Sequence, residues 1–179
     1  MRRRHPLPKI WLMTDPRFGG KLLAAVRKLP FGSGVIFRHY ALEVKQRRAL
    51  FRQITHICRQ RGHLVLLAGN QRDAMRWHAD GFHQRSVNRS AMLQSAAVHD
   101  WRELARARRY NCEMILVSPI FSTKSHPDAR PMGLPMLNRI AARAGGAKVI
   151  ALGGVTRQKA GMLNPRLVHG WAAIDGLKP

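Results

Sequence analysis

The sequence predicts an α/β fold, a (β/α)8 TIM barrel in abbreviated form, on three observations. Eight short apolar runs alternate with amphipathic stretches at a regular beat. Most of the runs are separated by a helical stretch, which argues for parallel neighbours rather than hairpins. The 179 residues also fall below the roughly 200–250 of an ordinary barrel, and the shortfall can be located. Residues 84–92 leave little room for a helix between the fourth and fifth runs, and only residues 176–179 follow the eighth. Helices four and eight are therefore expected to be short or missing. An open, flavodoxin-like sheet is the competing arrangement.

The elements follow in order. The first strand is read at residues 9–14 (KIWLMT), with a helix at 21–29. Residues 34–40 (GVIFRHY) form the second strand. The long helix after it places Leu50, Phe51, Ile54, Ile57 and Cys58 on one stripe at three-to-four spacing, with Arg47, Arg48, Arg52 and Arg59 elsewhere. The third strand is 63–68 (HLVLLA) and a short helix spans 72–78; a brief strand at 81–83 and a fifth at 93–99 (LQSAAVH) come next. Asp100 then caps a helix with Trp101, Leu104 and Ala105 turned inward. The sixth strand is 113–118 (EMILVS) with a helix at 136–144, the seventh 148–152 (KVIAL) with a helix at 157–163, and the eighth 170–174 (GWAAI). No repeat, low-complexity segment or linker divides the chain, so one domain over 1–179 is expected.

Composition narrows the function classes. A hydrophobic fraction of 45% supports a globular core, and no run approaches the ~18 apolar residues of a membrane span. The basic opening is interrupted by prolines and Lys9, unlike a signal sequence. With only Cys58 and Cys112 present, a reduced, cytoplasmic setting is expected. The formal charge of +23 would attract any polyanion. Its arginines are spread along the chain with no zinc-finger, RNP-like or zipper pattern, so solvated helix surface is favoured over a nucleic-acid partner.

Reactive groups of such a barrel lie where strands end and helices begin. Two of these places stand out. The loop 118–133 (SPIFSTKSHPDARPMG) offers Thr123, Lys124, Ser125 and His126, a set of hydroxyls and cations suited to a phosphate. Gly153 and Gly154, directly after the seventh strand, let the backbone approach a ligand ahead of a helix N-terminus. Together they mark the common phosphate site of barrels. Arg38, Tyr40, His83, Arg85, His99, Ile174 and Asp175 occupy other strand ends, with Arg85 a candidate cation. The histidines are not spaced as a metal set and acids are scarce, so no metal site is read here, and His83 and His99 are expected to be packed or hydrogen-bonded near the mouth.

The landmarks MTD (13–15), GVIFR, ADG-H (79–83), AVH (97–99), SPIF-T (118–123) and ALGGV (151–155) together resemble the thiamine phosphate synthase/TenI family, over nearly the whole chain. The resemblance implies a barrel that joins hydroxymethylpyrimidine diphosphate to a thiazole phosphate, with magnesium balancing the departing diphosphate. It implies roles for Arg38 and His126 as catalytic groups, for Thr123, Ser125, His126, Gly153 and Gly154 at the phosphates, and for the backbone at Ile174 and Asp175. The family's Gln-x-Arg-x-Lys falls on Ile36, Arg38 and Tyr40, its Asn-Asp pair on Ala68 and Gly69, its second magnesium aspartate on Asn88, and its fifth-strand serine on Ala97. Pro119 stands where the tautomerase branch has its histidine, a synthase-like feature. No cofactor is expected, because the magnesium ligands are not matched. Arg38, Arg85, Lys124 and His126 are the cations expected to neutralise a phosphorylated small molecule of the diphosphate or thiazole phosphate class. A non-catalytic phosphate-binding barrel is the alternative.

Overall fold

The structure, a computed structural model, describes residues 6–84, 90–123 and 129–178. Eight parallel strands close into a barrel in sequence order: β1 (Ile10–Met13), β2 (Gly34–Phe37), β3 (Leu64–Ala68), β4 (Gly81–Gln84), β5 (Leu93–Val98), β6 (Met114–Val117), β7 (Lys148–Ala151) and β8 (Gly170–Ala173). Closure rests on β1 pairing with both β2 and β8, Leu12 lying opposite Val35 on one side and Ala173 on the other. The open sheet is excluded.

The period-two alternation of each strand divides the core. Trp11, Met13, Ile36, Leu66, Met114, Leu116, Ile150 and Ala172 fill the barrel interior. Leu12, Val35, Phe37, Val65 and Leu67 point outward against the helices. Gly34 is required here, because a Cβ at this position would run into the Trp11 ring. That ring is fully buried, and its Nε1 donates to the Pro8 carbonyl at 2.8 Å.

Among the described residues six helices surround the strands: α1 (Leu22–Lys28), α2 (Val44–Gln60), α3 (Gln71–Arg76), α4 (Trp101–Arg109), α5 (Gly133–Ala141) and α6 (Arg157–Ala160). Among the described residues no helix separates β4 from β5, and only a 3-10 turn at Asp175–Leu177 follows β8, as the length argument required. The stripe on α2 buries Phe51, Ile54, Ile57 and Cys58. Both cysteines are buried and unpaired, and burial pushes their thiols up to about 12 for Cys58 and about 11 for Cys112.

Several boundaries differ from expectation for local reasons. The second strand stops at Phe37 because His39 takes a positive φ of 45°. A 3-10 helix at Pro16–Lys21, capped by Asp15, precedes α1. Helix α5 starts three residues early: the Gly133 N–H donates to the Ile120 carbonyl at 3.1 Å, and Pro135 sits in the first turn, where a missing N–H is harmless. On α4, Asp100 caps as expected, but the buried face is Leu104 and Ala107; Ala105 is exposed. Trp101 is 39% exposed, with the Arg143 guanidinium lying over its ring at 5.6 Å.

Candidate functional site

The strand alternation that fills the barrel also decides which side chains reach its mouth. Positions that continue the inward series at the ends of the strands (His83 and Ala97) or just beyond them (Arg38, His99, Ser118, Leu152 and Ile174) all line one cleft of about 700 Å3. The cleft takes in Tyr40, Thr123, Gly153, Gly154 and Asp175 as well. Every described residue singled out from the sequence is thus brought to one place. Arg85, Asn88, Lys124, Ser125 and His126 lie outside the described residues.

The loop after β6 and the diglycine after β7 interlock. Backbone bonds run from the Ile120 N–H to the Leu152 carbonyl and from the Phe121 N–H to the Gly153 carbonyl, each at 3.0 Å. Gly153 and Gly154 have φ of 91° and 63°, values that favour glycine. A Cβ on Gly153 would come within 2.7 Å of the Pro119 Cα, and one on Gly154 would meet the Ser122 carbonyl oxygen. Glycine is therefore demanded by both conformation and contact. The N–H groups of the two glycines donate to no other described residue. The helix that follows, α6, has only four residues, too short for the dipole contribution expected from the sequence.

Arg38 projects from the end of β2 and is held on one edge. Its Nε donates to the Thr14 carbonyl at 2.9 Å and its Nη2 to Asp15 Oδ2 at 2.6 Å. Nη1 donates to no described residue. Asp15 also accepts from the Arg17 N–H at 3.0 Å and Nε at 2.8 Å, and Arg17 Nη1 reaches Asp175 Oδ2 at 3.1 Å. Lys178 Nζ closes the chain on Asp175 Oδ1 at 2.6 Å. Burial alone would raise the Asp15 pKa, but hydrogen bonds from Arg17 and the charges of Arg17 and Arg38 hold it below the ordinary carboxylate range. Asp175 is likewise lowered, first by its Lys178 hydrogen bond. Among the described residues, three cations (Arg17, Arg38 and Lys178) bind two carboxylates on this rim.

Of the two mouth histidines, His83 is packed and His99 is exposed but hydrogen-bonded. His83 is buried with Nδ1 2.8 Å from Ser95 Oγ, and burial, aided by the charges of Arg38 and His99, lowers its pKa to about 4. It is neutral at neutral pH. His99 is pinned at 2.8 Å to Glu103 Oε2 on α4.

Sequence reading missed Thr156 and Lys159, which line the cleft from α6. Thr156 caps that helix, accepting from the Lys159 N–H at 3.3 Å, and Lys159 Nζ lies 4.9 Å from the Phe121 ring centre. A lysine three residues beyond a capping threonine, just after a diglycine, was the available signal. Also missed was Arg47, whose Nε and Nη2 donate to the carbonyls of Arg38 at 2.8 Å and Ala68 at 2.7 Å.

Among the described residues, the donor set does not fit the magnesium that the family resemblance implies. Ala68 and Gly69 end β3 without a carboxylate, and the Ala68 carbonyl is already bound by a guanidinium. Asp175, the one acid lining the cleft among the described residues, has both oxygens engaged by cations. Magnesium needs carboxylate ligands that are free to bind it.

Comparison with known proteins identifies the family. The family model for thiamine monophosphate synthase matches residues 12–177. The chain is 26% identical over 182 residues to the putative thiamine-phosphate synthase 2 of Aquifex aeolicus, covering 94% of this chain and 97% of that one. It is 30% identical over 174 residues to the thiamine-phosphate synthase of Bordetella avium, covering 88% of this chain and 81% of the relative. The solved structure of the thiamine phosphate pyrophosphorylase from Pyrococcus furiosus has a TM-score of 0.79 at 21% identity, over 93% of this chain and 85% of that one, a likeness of fold. The match runs from β1 to the turn after β8 and takes in both interlocked segments of the cleft, and on that ground the chain belongs to the thiamine monophosphate synthase family.

Proposed function

We propose that the chain acts in thiamine biosynthesis and that its cleft takes a phosphorylated substrate of the diphosphate or thiazole phosphate class, held by protein cations and backbone amides without a metal clamp. The carrying observation is the interlock of the loop after β6 with Gly153 and Gly154, beside Arg38 and Lys159 in one cleft. Arg38 Nη1, Lys159 Nζ and the two glycine N–H groups are the donors assigned to the phosphoryl oxygens. Thr123, Ile174 and the Asp175 backbone complete the wall, and Lys124, Ser125 and His126 belong to the same loop. In the family reaction the thiazole nitrogen bonds to the pyrimidine methylene carbon, and the carbon–oxygen bond to diphosphate breaks with its electron pair leaving on diphosphate. In this reading Arg38 and His126 are the catalytic groups that meet that developing charge. The test is formation of thiamine phosphate from the two substrates by purified protein, with complementation of a strain lacking the synthase. Product that requires Arg38 and Gly154 supports the assignment; tight substrate binding with no product over many hours overturns the catalytic half.

A second reading, a barrel that binds a phosphorylated metabolite without turnover, is favoured by Ala68, Gly69 and Ala97 at the positions of the family's polar groups. The same assay separates the two, because this reading requires binding and zero product.

A further inference from the structure

A second cavity shares no lining residue with the cleft. It is a groove of about 390 Å3 formed by α2 and the segment after α3, where Arg48, Arg52, His56 and Arg59 face Trp77 and His78. At about 100° per residue, positions 48, 52, 55, 56 and 59 fall within a ~100° arc of α2. The opposite side of the helix is fixed in the core by Ile54, Ile57 and Cys58, with buried Phe51 at the edge of the arc also lining the groove, so the basic arc cannot turn away. The three arginines are exposed, and their guanidinium groups make no hydrogen bond or ion pair with a described residue. Among the described residues no carboxylate lines the groove.

We propose that this groove binds the phosphate backbone of a single-stranded nucleic acid. Guanidinium forks match phosphate oxygens in pairs. The helical rise of ~1.5 Å per residue spreads Arg48, Arg52 and Arg59 over about 16 Å, so successive phosphates of a chain meet them in turn, where one phosphate or diphosphate would not. Half-buried Trp77, whose ring carries the Arg47 guanidinium 5.3 Å from its centre and packs against Phe51, lines the groove as the aromatic wall against which a base stacks, the pairing of basic groove and aromatic face used by single-strand binders. The overall charge of +23 brings a polyanion to the surface.

The experiment is fluorescence anisotropy with a labelled 12-nucleotide oligouridylate between 50 and 300 mM NaCl. It compares the full chain, the Arg48→Ala/Arg52→Ala/Arg59→Ala variant, and a control Arg102→Ala/Arg106→Ala/Arg109→Ala on α4. At ~0.7 counterions per single-strand contact, the groove variant lowers the slope of log K against log salt by about 2 and weakens binding roughly 100-fold near 0.1 M salt. The control shifts neither by as much. Three results overturn the proposal: equal losses from both triple variants, no binding by the unmodified chain near 0.1 M salt, or displacement by oligoglutamate of equal charge as efficient as by unlabelled oligouridylate. Should the triple variant fail to fold by circular dichroism, Arg52→Gln against Arg106→Gln decides. The expected slope change is then about 0.7 for the first and none for the second.

Discussion

Replacing Gly154 by alanine strikes the contact on which the cleft depends. With φ at 63°, an alanine adopts a left-handed conformation costing about 1–2 kcal/mol. The new methyl also meets the Ser122 carbonyl oxygen and lies 2.9 Å from the Phe121 Cβ. The first of these is backbone, bound into the loop by the hydrogen bonds to Leu152 and Gly153, so it cannot rotate aside. Overpacking of this kind costs about 1–3 kcal/mol, giving a total of about 2–5 kcal/mol. At a urea m-value of about 2 kcal/mol/M, the unfolding midpoint falls by about 1–2.5 M. Gly32 provides the control: its φ is 73°, but a Cβ there meets nothing within 4 Å, so Gly32→Ala carries the conformational cost alone. The assay is urea unfolding followed by circular dichroism, with calorimetric titration of inorganic diphosphate on the folded fraction. Gly154→Ala must lose more stability than Gly32→Ala and also lose diphosphate affinity. Equal stability losses with unchanged affinity would refute the interlock and the placement of the phosphoryl group beside it.

Other expectations follow from the same geometry. Arg38→Ala and Thr123→Ala weaken binding of a phosphorylated ligand by roughly 10- to 100-fold each, since a charge-assisted contact contributes about 1.5–3 kcal/mol, whereas Arg59→Ala leaves it unchanged; calorimetry reads the order, and equal effects would misplace the pocket. Lys159→Ala weakens the same binding, measured in the same way, while leaving the unfolding midpoint nearly constant. His83, with its folded pKa of about 4 against an ordinary 6.5, stays neutral while the unfolded chain takes up a proton. Stability is therefore full above pH 6.5 and falls with pH, by about 2 kcal/mol between pH 6.5 and 5; His83→Gln flattens that part of the denaturation profile. Asp15 and Asp175, held below the ordinary range, add a separate loss as pH falls through their lowered values, below about pH 4, which Arg17→Ala reduces.

Much of the barrel could be read from the chain because its signal is local. Strand alternation settles which side chains face inward, and the same parity carries Arg38, His83 and His99 to the mouth. The pairing of Thr123 with the diglycine was readable because barrel topology forces neighbouring strand ends together. What escaped was set by distance or by a single local exception. Arg17 reaches Asp175 across 158 residues, and no short-range pattern encodes that bridge. Lys159 was hidden inside a helix expected to be longer than the four residues observed. Pro135 masked the start of α5, although a proline is tolerated in a first turn. Trp101 and Ala105 were placed on the wrong side of α4, where Leu104 and Ala107 set the inward face. Arg38 was recognisable as a cation at a strand end, but not as one already clamped by Asp15.

If protein donors alone hold the phosphoryl group at the mouth of the barrel, inorganic diphosphate titrated calorimetrically, first in EDTA and then in millimolar magnesium, binds one-to-one in EDTA. The metal changes that affinity little, and Arg38→Ala weakens it. Binding that appears only when magnesium is added, or that survives Arg38→Ala untouched, would contradict that premise.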